Sequence, residues 1–501
     1  MRNTPHGRER ERLPLAAGLV AFAGGLVAIV GTYWDDAWHT DRGRDSFFIA
    51  PHLTLYGGVL VAGAVALGWA ARRWAASGAR GVVAGRSVAL ALAGLAGTVV
   101  SAPVDDAWHR LFGRDAVLWS PPHLLGVLAT LALVTGLLTG LAPAAGRRAA
   151  AVRLAGAALA LAALLVPVME YDSDVPQFAP VWYLPLLGVA VVLAAPIAHT
   201  ALGGRWPLTR AALAYTALRL LVVGALVLLG RSTPIVPPVL VPALLADLAD
   251  QRGWAPWRRA LAVTVAVHAA YLPWVWLVPH GTAIPLAEVP ASLLVGTLAA
   301  WLAGLLATGR RPRPAALAVA GLLVVLVVAA AATPAWAHDP GQGRVRGHAA
   351  VAIGADGAAA QVRVRVLDLA GGSCGDLGPV GLAARRAGQT RRAPLAAGRG
   401  CTFRGQVGLP DRGRWFVYAT LTGPEGPMET WLAVQADGRH TAAAVRELYS
   451  RPAQTGTLHP LKLVGGVALY LVGVALLLAT LATARRHSSA GRAAGTSRQP
   501  T

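Results

Sequence analysis

The sequence predicts a mainly α-helical, polytopic membrane protein of about twelve transmembrane helices, with a small extracytoplasmic β-sandwich domain before the last helix. Three observations predict it. Of 501 residues, 55% are hydrophobic and only 14% are charged, with a mean hydropathy of +0.52, a balance that places the chain among membrane proteins rather than soluble enzymes. Apolar runs long enough to cross a bilayer, about 20 residues each, recur along most of its length. One long polar segment, 338–458, breaks that pattern and alternates apolar and polar residues with period two.

The spans read in order as 14–33, 51–70, 87–104, 122–142, 149–169, 181–201, 211–230, 234–249, 259–279, 287–308, 315–337 and 461–484. The net charge of +21 is almost all arginine, with Lys462 the only lysine. That bias accompanies abundant Ala and Gly, so it does not argue for nucleic acid as a partner. The arginines instead orient the chain. With the N-terminus cytoplasmic, Arg72, Arg73, Arg80, Arg86, Arg147, Arg148, Arg153, Arg205, Arg210, Arg258, Arg259, Arg310, Arg311, Arg313, Arg485 and Arg486 all fall inside, as the positive-inside rule requires. The first run lacks a small-residue cleavage site after it and reads as a retained helix. The expected localisation is a bacterial plasma membrane, with both termini cytoplasmic and 338–458 outside.

Four regions follow: 1–145, two helical hairpins; 146–337, helices five to eleven; 338–458, the β domain; and 459–501, the last helix and a cytoplasmic tail. The first region is an internal repeat. "DDAWH" at 35–39 recurs at 105–109, Arg44-Asp45 recurs as Arg114-Asp115, and Pro51-His52 recurs as Pro122-His123. The offset is 70 up to Arg114 and 71 at His123, so one inserted residue separates the copies. The third hairpin carries "MEYDSDVPQFAPVWY", with Glu170, Asp172 and Asp174 but no histidine. Beyond it, Arg219 and His268 are the ionisable groups inside apolar runs. An intramembrane His is a functional candidate, though one bonded to a neighbouring helix is an equally physical reading.

Both repeats lie at the outer membrane surface in this topology. Asp35 and His39 are four apart and share a helical face, and the hairpin returns His52 beside them. One carboxylate and two imidazoles suit a divalent transition metal, and Asp105, His109 and His123 repeat the set. Asp36 and Asp106 point about 100° away from these ligands and are expected to orient a ring N–H. Asp45 and Asp115 are expected to support the loops by pairing with Arg44 and Arg114. Trp38 and Trp108 read as interfacial aromatics. The competing interpretation is that two His/Asp-rich loops cap helices where water begins; two copies agreeing in type, order and spacing favour metal. The composition does not settle copper, zinc or iron.

The pattern Asp-x3-His-x12-His, with Arg-Asp, an aromatic, then Pro and the second His, resembles the metal-binding stretch of the C subunit of the copper membrane monooxygenases, the particulate methane and ammonia monooxygenases. Asp35, His39 and His52 match it, and Arg44, Asp45, Phe47 and Pro51 echo the intervening residues. The resemblance implies copper as the metal. It covers about 25 residues per copy, the family lacks the duplication, and the second copy has one extra residue.

In the polar segment, "AAQVRVRVLDL", "RWFVYATLTG" and "METWLAVQ" read as strands between Gly and Pro turns. Cys374 and Cys401, the only cysteines, are expected to form a disulfide outside the cytoplasm. "AWA" before His338 looks like a signal-peptidase site, and cleavage after Ala337 would free a histidine amino terminus, similar to the copper ligand of periplasmic copper-resistance domains; the uncleaved reading is favoured, because small residues at a helix exit are ordinary in an alanine-rich chain. The segment also resembles small extracytoplasmic domains of the FixH or YtkA type, with His348, Met428, His440 and His459 as further candidate ligands.

Three functions fit these readings. One is capture, storage or transfer of copper at the outer face, with a periplasmic copper chaperone or other membrane subunits as partners beside the bilayer and the ion. Another is a copper-dependent oxidoreductase of monooxygenase-like chemistry. The third is a transporter of another substrate, which the scarcity of charge inside the helices disfavours. The chain has no Gly-x4-Gly-Lys loop for ATP.

Overall fold

The structure is a computed structural model that describes residues 12–42, 47–112, 118–175, 178–277, 282–310, 344–386, 389–450 and 459–496. The helices are α1 (Leu15–Asp41), α2 (Ala50–Ala84), α3 (Arg86–Phe112), α4 (Pro121–Gly140), α5 (Arg147–Leu165), α6 (Tyr183–Leu202), α7 (Pro207–Leu228), α8 (Leu240–Gln251), α9 (Pro256–Leu277), α10 (Val289–Thr308) and α11 (His459–Thr496). α5 runs on through a 3-10 turn, Val166–Val168, into the short helix Met169–Asp172.

Among the described residues, nine helical stretches are long and apolar enough to cross a membrane. The expectation of about twelve meets three differences. α8 has 12 residues, about 18 Å at 1.5 Å per residue and well short of the roughly 30 Å hydrocarbon core. The preceding "TPIVPP" is extended, because its prolines cannot continue a helix. α9 is a 22-residue helix but not one of the nine. The predicted span 315–337 lies outside the described residues.

Each repeat folds as a tight antiparallel pair, α1 with α2 and α3 with α4. Glycine makes the close approach possible. A Cβ on Gly58 would lie 2.4 Å from the Gly24 carbonyl oxygen, and one on Gly94 would lie 2.3 Å from the Leu133 nitrogen. Small residues at such crossings let backbones meet where lipid offers no hydrophobic drive. At the end remote from the polar clusters, Leu13 N–H donates to the Gly140 carbonyl at 2.9 Å and Ala142 N–H donates to Leu13 at 2.8 Å, tying the two hairpins together.

Residues 345–450 form a separate all-antiparallel domain of nine strands: β1 (Val345–Ala355), β2 (Ala359–Leu369), β3 (Gly378–Arg386), β4 (Gln389–Ala393), β5 (Leu395–Ala397), β6 (Thr402–Gly408), β7 (Arg414–Gly423), β8 (Gly426–Gln435) and β9 (His440–Ser450). The alternation works as read: in β2, Ala360, Val362, Val364 and Val366 are buried while Gln361, Arg363 and Arg365 face out. The architecture differs from the two-sheet sandwich expected. Hydrogen bonds run through one sheet in the order β4-β3-β7-β8-β9-β1-β2-β6-β5, and β3 and β4 curl back against β5 and β6 to make a near-barrel. Period-two patterning specifies which face is inside but not whether that face closes on itself or on a second sheet. Cys374 and Cys401 form the expected disulfide.

Candidate metal centre

The ligand candidates sit where helices turn back. Asp35 and His39 lie one turn apart in the last two turns of α1, and Asp105 and His109 do so in α3. His52 and His123 are each the third residue of the returning helix. Pro51, and Pro121 with Pro122, occupy the first turn, where the missing N–H costs nothing and the fixed φ starts the helix. That start places each imidazole opposite its carboxylate.

Both triads assemble. In each, one atom from the Asp and one from each His lie within 4.8 Å of one another. In the first, Asp35 Oδ1 is 3.0 Å from His52 Nε2 and 3.8 Å from His39 Nε2. In the second, Asp105 divides its oxygens: Oδ1 is 3.2 Å from His123 Nε2 and Oδ2 is 3.5 Å from His109 Nδ1. Ligands about 2.0–2.1 Å from a tetrahedral ion stand roughly 3.3 Å apart, so both sets need only small adjustments to coordinate one. The extra residue of the second copy does not undo the triad.

The contacts behind the rings define the chemistry. His52 Nδ1 is 3.2 Å from the Phe47 carbonyl oxygen, which can only accept, a contact that favours the proton on Nδ1. In that tautomer Nε2 faces Asp35 Oδ1 at 3.0 Å, and a positive charge between the two atoms, a ring proton or a metal ion, makes the contact favourable. His123 Nδ1 is likewise held, by Ser120 Oγ at 2.9 Å.

The residues expected to orient the rings have other partners. Asp36 accepts from Ser173 Oγ, and Asp106 pairs with Arg110 one turn on. The 100° rotation that removes them from the ligand face carries them to the neighbouring segment and to their own helix surface. Ring orientation falls instead to the Phe47 carbonyl and Ser120. Ser120 was legible in "SPPH" as a hydroxyl three residues before the His at a helix start; a backbone carbonyl leaves no mark in sequence. Asp45, Asp115 and His338 lie outside the described residues. Trp38 stacks under Arg42 at 4.5 Å, whereas Trp108 is buried, edge-on to Phe112 and against the glycines of α11, rather than interfacial.

The acidic loop of the third hairpin supports both centres. Glu170 Oε1 accepts Leu118 N–H at 2.8 Å in the second loop, and Ser173 holds Asp36 in the first. Asp172 forms a buried ion pair with Arg219 at 3.2 Å, and Arg219 lies 4.0 Å over the Tyr33 ring. Asp174 receives the backbone N–H of Arg414 from the β domain at 3.1 Å. His268 bonds the Thr264 carbonyl and reaches Ser292 on α10 at 3.0 Å, the neighbouring-helix role.

Both triads line one chamber of about 1880 Å³ between the two hairpins. Its walls are apolar, with Phe22, Ile29, Leu60, Leu95 and Leu133, and its polar end is completed by Arg344, Arg346 and Glu425 of the β domain. The β-domain candidates do not join the site. His348 faces Asp368 at 3.0 Å, His440 faces Asp437 at 2.7 Å, and Met428 is buried in the barrel core. The side chain of His459 lies outside the described residues. No family model, curated protein or solved structure matches this chain.

Proposed function

We propose that this chain is an integral membrane copper-binding protein that captures, stores or hands on copper at the outer face of a bacterial plasma membrane. One observation carries the reading. Each triad sets an Asp carboxylate against two imidazoles at near-coordination distance, with one ligand atom from each residue within 4.8 Å of the others. Imidazole ligands suit copper, zinc and iron alike; the resemblance of Asp35, His39 and His52 to the copper-monooxygenase motif selects copper. Asp35, His39 and His52 form one site, and Asp105, His109 and His123 form the other. The arginine distribution sets the orientation, with both termini inside and the β domain outside.

Metal analysis of the purified full-length protein tests this. Wild type is expected to hold about two copper ions per chain, one per triad, and His39→Ala/His109→Ala to hold none. Equal, substoichiometric copper and zinc in both proteins sinks the proposal.

The chamber favours a second reading, a copper-dependent oxidoreductase. Its apolar walls include Leu53, Leu60 and Leu67 on α2, all exposed, which suits a small apolar substrate. Copper that is bound and lost with the histidines, without oxidation of any alkane or of ammonia, favours handling over catalysis.

A further inference from the structure

We propose that docking of the β domain positions the first triad and leaves the second to itself, so that the two sites are one governed site and one autonomous site. The inference rests on reading the triads as metal sites.

The β domain grips the end of α1 on both sides of its ligands. Arg414, at the start of β7, donates from Nη1 to the Ser173 carbonyl at 3.2 Å, and the Ser173 hydroxyl donates to Asp36, the residue after Asp35. Its other nitrogen, Nη2, donates to Ser232 Oγ at 3.2 Å. Ser232 in turn gives both its hydroxyl and its backbone N–H, the latter at 2.9 Å, to the carboxylate of Asp41, two residues after His39. Arg446 of β9 donates to the Asp41 carbonyl at 2.7 Å. Asp174 also holds the domain, through Arg414 N–H at the start of β7 and Arg386 at the end of β3. Burial lowers the guanidinium pKa of Arg386 and Arg446 from the ordinary arginine value, and Asp174 and Asp41 beside them oppose that shift. These arginines are therefore built into the interface rather than resting on its rim.

The second triad is held from within the helical bundle. Leu118 N–H goes to Glu170, Trp119 Nε1 donates to the Pro167 carbonyl at 2.9 Å, and Tyr470 of α11 donates to the Trp119 carbonyl at 2.7 Å. Asp106, the counterpart of Asp36, pairs with Arg110 of its own helix. The same duplicated α-helical end is thus clamped by the β domain in one copy and by membrane helices in the other. Undocking the β domain takes Arg446 from the Asp41 carbonyl and Arg414 from Ser173 and Ser232, the groups that hold Asp36 and Asp41, and so loosens the turn that carries Asp35 and His39; the first ion is then loaded or released as the domain moves while the second stays.

The test uses full-length protein with one triad at a time: His109→Ala/His123→Ala keeps the first, and His39→Ala/His52→Ala keeps the second. Into each go Arg414→Ala, Ser173→Ala and, as the conservative control, Ser173→Thr. Copper(II) is titrated against a competing chelator and its EPR spectrum recorded. In the first-triad protein, Arg414→Ala and Ser173→Ala are expected to weaken copper about 10- to 100-fold, the usual loss when a support behind a ligand is removed, and to change the EPR signature. Ser173→Thr should stay near its parent. In the second-triad protein all three should stay within about 2-fold, which also shows that the variants fold. Equal losses in both backgrounds, or no loss in the first, overturn the inference. Failure of both unsubstituted single-triad parents to bind copper overturns the metal reading and this inference with it.

Discussion

The two hairpins carry matching Asp-His-His triads and hold them by different means. In the first, a single carboxylate oxygen faces both imidazoles, the His52 ring is set by the Phe47 carbonyl, and the β domain braces the end of α1. In the second, the carboxylate splits its oxygens, the His123 ring is set by the Ser120 hydroxyl, and α5 and α11 do the bracing. The lesson is that matching sequences reproduce what local spacing sets, an Asp and a His on a helix end and a His after a proline-started return. It leaves open what holds them, because support comes from whatever packs alongside.

The strongest way to break the comparison is at the buried pair that only the first copy touches. Arg219 covers Tyr33, whose counterpart in the second copy is Pro103. Arg219→Met leaves Asp172 buried without its cation and should cost about 3–5 kcal/mol in thermal or chemical unfolding of the solubilised protein. Arg219→Met/Asp172→Leu should recover most of that loss. A neutral single variant would show that the pair contributes nothing.

Single-ligand losses come next. His52→Ala and His123→Ala should each remove one copper of about two, leaving the other site intact. Loss of both ions from either variant would mean a single shared centre, which metal stoichiometry decides directly.

Acid should weaken both sites. Protons compete with copper for the imidazole nitrogens, so copper affinity in both copies should fall as the pH is lowered. A chelator-measured affinity that stays flat from pH 8 to 5 would contradict imidazole ligation in either copy.

The smallest effect is the sharpest for telling the copies apart. Ser120→Ala removes the hydroxyl behind His123 and should weaken the second site about 10-fold. Phe47→Leu keeps the carbonyl behind His52 and should leave the first site unchanged. Chelator competition on the single-triad proteins measures both, and an equal response would show that neither ring contact matters.

Much of the ligand geometry was legible because it is local. The i, i+4 spacing of Asp35 and His39, and the prolines before His52 and His123, specify positions on helix ends without knowledge of anything distant. Asp36 and Asp106 show the limit. Their rotation off the ligand face was readable, but where that face points was not, since Ser173 lies 137 residues from Asp36 in the chain. The span count faltered where local chemistry was ambiguous. Residues 234–249 are apolar enough to suggest a crossing, yet Pro237 and Pro238 delay the helix to Leu240, and 12 residues remain. In the β segment, alternation revealed the strands and their inner faces, but not closure into a single curled sheet.

By itself the sequence determined a helical chain with membrane-length apolar spans, two matching Asp-His-His sets on hairpin ends, and a disulfide-bearing β domain, since each follows from periodicity and spacing over a few turns. The tertiary structure alone decided that both triads face one chamber, that a carbonyl and a hydroxyl lie behind the returning rings, and that Arg446 and Arg414 of the β domain reach the end of the first copy. Those features depend on groups far apart in the chain meeting across packed surfaces, and the distance between them is set by the whole fold.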